Sequence, residues 1–241
     1  MSERTPLSVL AAALVAIGLI GAGWFAAQGL AKLRTADRFV TVKGSAEKDV
    51  AANLLVWPLP HSVGGNDLAD VQRRLDANTA VIRTFFTGAG FEEGEITVAP
   101  PRLEDRWAWA YGENRPPDRF RYSTTVTLRT TDVAKAQQVL RRSGELVSAG
   151  ILLGGEGGEG DMGGGGPEFS YTGLNSIKPA LIAEATAEAR KAAEQFAKDS
   201  GAALGGIRSA NQGVVTINDR DRGSPQTKTV RVVTTVEYFL K

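Results

Sequence analysis

The sequence predicts antiparallel strand hairpins alternating with about three helices, set behind one apolar helix at the N-terminus. Three observations carry this prediction. The run LSVLAAALVAIGLIGAGWFAAQGL occupies residues 7–30, opening on Leu7 and closing on Leu30, and holds no charged residue. Behind it, stretches with alternating apolar residues take turns with stretches of helical spacing. A glycine-rich segment at 154–166 then interrupts the pattern once. The expected organisation is a short tail (1–6), a transmembrane anchor (7–30), a linker (31–38) and a folded domain (39–241) that contains the glycine loop.

The apolar run is long enough to cross a hydrocarbon core of roughly 30 Å as a helix. Gly18, Ala22 and Ala26 are spaced four apart within it, and they are the candidate positions for close packing between membrane helices. A cleavable signal peptide is the rival reading, with Arg4 as its basic region and Gly29-Leu30-Ala31 as a weak cleavage site. The run exceeds the usual h-region of roughly 7–15 residues, which favours an uncleaved anchor. Lys32, Arg34 and Arg38 follow it and outnumber Arg4, so a positive-inside count would leave the domain in the cytoplasm.

Residues 39–63 read as a hairpin of two strands joined by a polar turn around Ser45 to Asp49. Pro58 and Pro60 cannot donate ladder hydrogen bonds, which implies an edge or a bulge in the second strand. Asn66 or Asp67 caps a helix carried by Leu68, Val71, Leu75, Ile82 and Phe85 and ended by Gly88. A strand beginning near Ile96 is expected to place Trp107, Trp109 and Tyr111 on one face. Its partner, from Arg119 to Thr130, places Phe120 and Tyr122 on one face. These five aromatics form the candidate oligomer or partner interface.

Thr131-Asp132 caps a further helix whose inward side is expected to be Val133, Ala136, Leu140 and Val147. Glycine fills nine of the thirteen positions from 154 to 166, so this stretch is expected to be a loop. Its Gly157-Gly158-Glu159-Gly160-Asp161 is one residue short of a calcium-binding nonapeptide and does not recur. No Gly-Lys-Ser/Thr follows the glycines, so phosphate cradling of the P-loop kind is not expected. A short strand at 167–172 precedes the alanine-rich helix 176–200, with Ile177, Leu181, Ala185, Ala192 and Phe196 as its apolar stripe. Two strands, 207–218 and 227–241, close the chain.

Composition excludes several functions. There is no cysteine, which removes thiol nucleophiles, disulfides and cysteine metal sites together. The single histidine, His61, excludes any site needing two imidazoles and reads as an ordinary strand histidine. The net charge of +1 argues against nucleic acid as a partner. Glu104 with Asp105, or Asp219 with Asp221, could in principle be paired carboxylates for acid–base work, but no motif brings a nucleophile or metal partner to either. No catalytic, cofactor-binding or metal-binding residue is therefore expected.

Several segments bear a family resemblance. VKGSAEKDV, GFEEGEITVAPPRLED with RFRYSTTVTLRTTDVAKAQQVL, and LIAEATAEARKAAEQFAKDSGAALGGIRSA resemble the SIMPL-domain family of bacterial envelope proteins over about residues 39–241. The glycine insert and the Pro58/Pro60 pair depart from its pattern. The resemblance implies an exported domain of mixed α+β type, facing the periplasm or cell exterior against the charge count, and self-assembly into ring-like homo-oligomers. It implies no enzymatic activity. The expectation is a single-pass inner-membrane protein whose extracytoplasmic domain assembles into an envelope scaffold. The alternative is a periplasmic binding module or chaperone-like holder acting under stress.

Overall fold

The computed structural model describes residues 5–36, 38–108, 115–153 and 166–241, with the side chains of the first helix described from Ala11 to Ala27. That helix, α1, spans Thr5–Ala36. Leu14, Val15, Ile17, Leu19, Ile20, Trp24 and Phe25 are each 62–77% exposed and point to every side of it. Among the described residues no helix is long and apolar enough to cross a membrane.

The rest of the chain is α+β with antiparallel sheets. It divides into two compact units, one of Met1–Lys48, Ile177–Thr216 and Arg231–Lys241, the other of Asp49–Ser176 and Ile217–Val230.

The first unit is organised by β1 (Phe39–Ala51), β7 (Leu204–Gln212) and β9 (Thr227–Leu240), hydrogen-bonded in the order β1-β9-β7; β8 (Thr216–Asp219), most of which is counted with the second unit, also pairs with β9. The polar turn expected at Ser45 to Asp49 is absent. β1 runs straight through it to Ala51, and β2 (Leu54–Gly65) belongs to the other sheet. Val40, Gly44 and Ala46 are buried in alternation with exposed Thr41, Lys43, Ser45 and Glu47, so the polar residues are simply the outer face of a strand. Glu47 pairs there with Arg231 at 3.2 Å.

Helix α5 (Leu174–Asp199) crosses β1 at Gly44. A Cβ on that glycine would stand 1.9 Å from the carbonyl oxygen of Ala185 and 2.4 Å from the amide nitrogen of Ala189. Only small residues permit so close an approach. The buried ridge of α5 is accordingly Leu181, Ala185, Ala189, Ala193 and Ala197, spaced four apart. This corrects the expected stripe: Ala192 is exposed and Phe196 is half-exposed, because a phenyl ring would hold the helix off the strand. The helix ends in a Schellman motif at Gly201 (φ +65), where Ala202 N–H donates to Ala197 O and Gly201 N–H to Lys198 O. The single strand expected at 207–218 is two strands, β7 and β8. They are separated around Gly213, whose N–H donates to Val233 O across 2.8 Å.

In the second unit β3 (Ile96–Val98), β5 (Phe120–Thr130), β2 and β6 (Glu168–Ser170) pair in the order β3-β5-β2-β6, and β4 (Arg102–Asp105) also pairs with β5. Helix α2 (Leu68–Gly88) is capped by the Asp67 carboxylate, which accepts from Asp70 N–H. Its Ile82 and Phe86 pack with Leu55, Trp57, Val126 and Leu128 into the main core. Phe86, rather than the expected Phe85, lies deepest, with Trp57 edge-on at 5.4 Å.

β2 keeps unbroken register with β5 from Leu55 to Gly65. On its other side, among the described residues, it pairs with β6 only at Leu54, Leu55 and Val56, and with Leu153 through a single bridge at His61. Pro58 and Pro60 fall in the gap, where their missing N–H groups cost no ladder bond. The helix expected after Asp132 is two helices, α3 (Val133–Leu140) and α4 (Gly144–Ser148). The break at 141–143 shifts the helical phase, so Val139 and Leu146 are buried while Val147, expected inside, is exposed.

Candidate functional site

The long aromatic strand expected from Ile96 to Tyr111 is broken twice. Pro100 and Pro101 end β3 and lift the chain off β5, and β4 stops at Asp105. The Asp105 carboxylate then accepts from the backbone N–H of Trp107 across 3.1 Å, and Ala108 N–H donates to Asp105 O. Trp107 therefore sits in a turn rather than on a strand face. Trp109 and Tyr111 lie outside the described residues.

Charge and aromatic contacts hold this corner. The Arg119 guanidinium donates to both oxygens of Asp105 at 2.9–3.3 Å and lies 5.8 Å from the Trp107 ring and 4.7 Å from the Phe120 ring. Hydrogen bonding to Arg119 holds the Asp105 carboxyl below the usual carboxylate range and pushes Arg119 up in turn. Trp107 Nε1–H donates to Pro116 O, and Arg115 lies 5.7 Å from the same ring. Asn66, not Asp67, fastens the corner to the start of α2: its oxygen accepts from Arg119 N–H and its amide donates to Pro117 O. Phe120 is half-buried, and Tyr122 packs against Val63, Val71 and Leu75. Of the five candidate aromatics, Trp107, Phe120 and Tyr122 thus already have partners within the chain. Gly18, Ala22 and Ala26 follow one another along α1, and a Cβ on Gly18 would meet nothing within 4 Å.

In the two carboxylate pairs, three of the four side chains have partners within the chain. Asp105 is committed to Arg119 while Glu104 is exposed. Asp219 accepts from Lys228 Nζ, and Asp221 from Arg220 and from Gly223 N–H. Among the described residues no group of three His, Asp or Glu side chains is placed to hold a metal ion. His61 is buried beneath α2. Thr79 Oγ1 donates to Leu75 O, so its lone pairs accept from His61 Nε2–H across 3.0 Å, and Nδ1 faces Leu59 O at 3.3 Å. Burial pushes the imidazole pKa down, partly offset by the Leu59 carbonyl, and keeps the ring neutral.

One feature was missed by sequence reasoning. A cleft of about 260 Å³ opens where Pro100 lifts the chain away from β5. Register places Arg102 opposite Ser123, and Ser123 opposite Ser62, so β4, β5 and β2 present one row of side chains on the sheet face opposite α2. Thr125 and Arg121 flank Ser123 on the same face. The available signal was the Pro100-Pro101 pair inside an alternating pattern, which marks an interrupted strand.

Among protein families, the one described as SIMPL, protein of unknown function (DUF541), matches residues 40–238, nearly the whole chain behind α1. The chain belongs to the SIMPL family. Comparison with curated proteins returns no match. The SIMPL match covers nearly all of both sheets, the four helices α2 to α5, and the proline-interrupted strand that opens the cleft.

Proposed function

We propose that this SIMPL protein is a membrane-tethered, extracytoplasmic, non-enzymatic protein that self-assembles into an envelope scaffold. The observation that carries the tether is α1. A helix whose described side chains, Ala11 to Ala27, are apolar and exposed on every side has no stable place in water. Its described side chains cover seventeen residues, about 26 Å of helix, and the uncharged sequence continues from Leu7 to Leu30, which extends the run to about 36 Å. Membership in the SIMPL family favours placement of the domain outside the cytoplasm.

Assembly is supported by β7. This strand pairs with β9 on one edge, and along its length nearly every residue is exposed, including Ile207 at 55%. Gly213 N–H points to β9, so by strand alternation Asn211 and Ser209 do too, while Ala210 and Gln212 aim their N–H groups outward. An edge of this kind accepts another strand. The same edge favours a second reading, a binding module or chaperone-like holder that takes extended segments of other envelope proteins by strand addition.

Light scattering on the full chain in uncharged detergent, beside a chain beginning at Arg38, tests both. Scaffold assembly through β7 requires a large discrete mass in the two preparations, reduced by Ala210→Pro with circular dichroism unchanged. Monomers in both would remove the scaffold and leave the binding module, which then has to suppress aggregation of an unfolded client. A large mass only with α1 present would move the contacts to Gly18, Ala22 and Ala26.

A further inference from the structure

The geometry points to the cleft on the outer face of the second sheet as a binding site for an oxyanion of the phosphate class, with Arg102 as its principal ligand and Ser62, Ser123 and Thr125 as hydroxyl donors. The argument rests on which groups are already committed. Thr124 Oγ1 donates to Ala99 O at 2.7 Å, which fixes the proline-bearing wall of the cleft. By contrast, the Arg102 guanidinium and the hydroxyls of Ser62, Ser123 and Thr125 make no hydrogen bond among the described residues. Ser62 is only 9% exposed, yet its hydroxyl is not sealed from the cleft.

Three strands held in register aim these donors at one space. Among the described residues no carboxylate lines the cleft and two arginines do, and the imidazole behind it is neutral. Such a set has donors and positive charge in excess of acceptors, which suits a compact anion with several oxygens and repels a cation. Arg121 has a partner of its own and contributes field rather than a free fork. Glu104 stands opposite Arg121 in register, outside the lining, and its charge opposes binding. A phosphate group can arrive free in solution or on a lipid headgroup, and the chemistry of the cleft is the same for both.

The test is calorimetric titration of inorganic phosphate into the full chain in uncharged detergent, beside flotation with phosphatidylcholine vesicles containing phosphatidic acid. Saturable phosphate binding is expected, with a dissociation constant of about 1 mM or below. Arg102→Gln should weaken it by about tenfold or more and Ser123→Ala by about threefold, since hydrogen bonds to a charged group are the strong ones. Glu104→Gln should tighten it by about twofold. Arg73→Gln, on the exposed side of α2, should change nothing. Flotation without binding of free phosphate, lost in Arg102→Gln, would assign the anion to a lipid headgroup. The proposal is overturned if neither probe binds, or if binding survives unchanged in both Arg102→Gln and Ser123→Ala.

Discussion

Gly44 is the residue at which strand and helix come closest, and its hydrogen cannot be replaced by a methyl group without moving backbone. The atoms a Cβ would meet are the carbonyl and amide of α5, not the flexible end of a side chain. Gly44→Ala should therefore destabilise the fold by about 3 kcal/mol, measured as a shift in the denaturant midpoint. A loss below about 0.5 kcal/mol would mean that the helix rides higher than described. His61 makes a second residue-scale prediction. Its folded pKa lies below the ordinary 6.5, so the unfolded chain binds the proton more readily. Stability is then complete above the unfolded value and falls as pH drops through about 6.5 toward the folded pKa. As the chain has one histidine, little else titrates between about pH 5.5 and 7.5. His61→Gln keeps a donor for Thr79 and should flatten the slope. Stability that rose on acidification would contradict the buried, neutral ring.

At the scale of elements, α4 separates two neighbours that sequence spacing could not tell apart. Leu146 is buried in the main core and Val147 is 60% exposed. Leu146→Ala should cost about 3 kcal/mol and Val147→Ala less than about 0.5 kcal/mol, read from chemical unfolding. Equal costs would restore the continuous helix that the spacing suggested. Local signals of this chain were legible: the caps Asp67 and Asp132, the positive-φ stop at Gly201, and the strand at 168–170 all rest on residues within a few positions of one another. Long-range pairing was not. The partner of β1 is β9, almost the whole chain away, and from nearby residues alone Ser45 to Asp49 looks like a turn. The α5 ridge was misread for a related reason. Spacing marks Phe196 as the larger apolar prize, whereas the glycine it would have to approach, Gly44, lies far off in sequence. The cleft row of Arg102, Ser123 and Ser62 was invisible because it exists only in cross-strand register, although the prolines that open it were in plain view.

For the whole molecule, the proposed tether could leave the domain on either side of a membrane, and two arguments oppose each other. The count of Lys32, Arg34 and Arg38 against Arg4 favours the cytoplasm, but the margin is small and folded domains translocate largely regardless of such counts. The proposed envelope role requires the exterior. The absence of cysteine turns this into a clean measurement, because a single introduced thiol is the only one in the chain. Arg222, exposed in the turn before β9, is the suitable position, being remote in sequence from the cleft and from the β7 edge. With Arg222→Cys expressed in a bacterial host, a membrane-impermeant maleimide should label intact, outer-membrane-permeabilised cells as fully as lysed ones. The same protein should stay in the membrane fraction after a carbonate wash, while a chain beginning at Arg38 and exported behind a cleavable signal should be recovered in the soluble periplasm. Labelling that appears only after lysis would place the domain in the cytoplasm and overturn the envelope scaffold. Release of the full chain by carbonate would instead show that α1 buries its apolar surface against protein, and the tether would have to be abandoned.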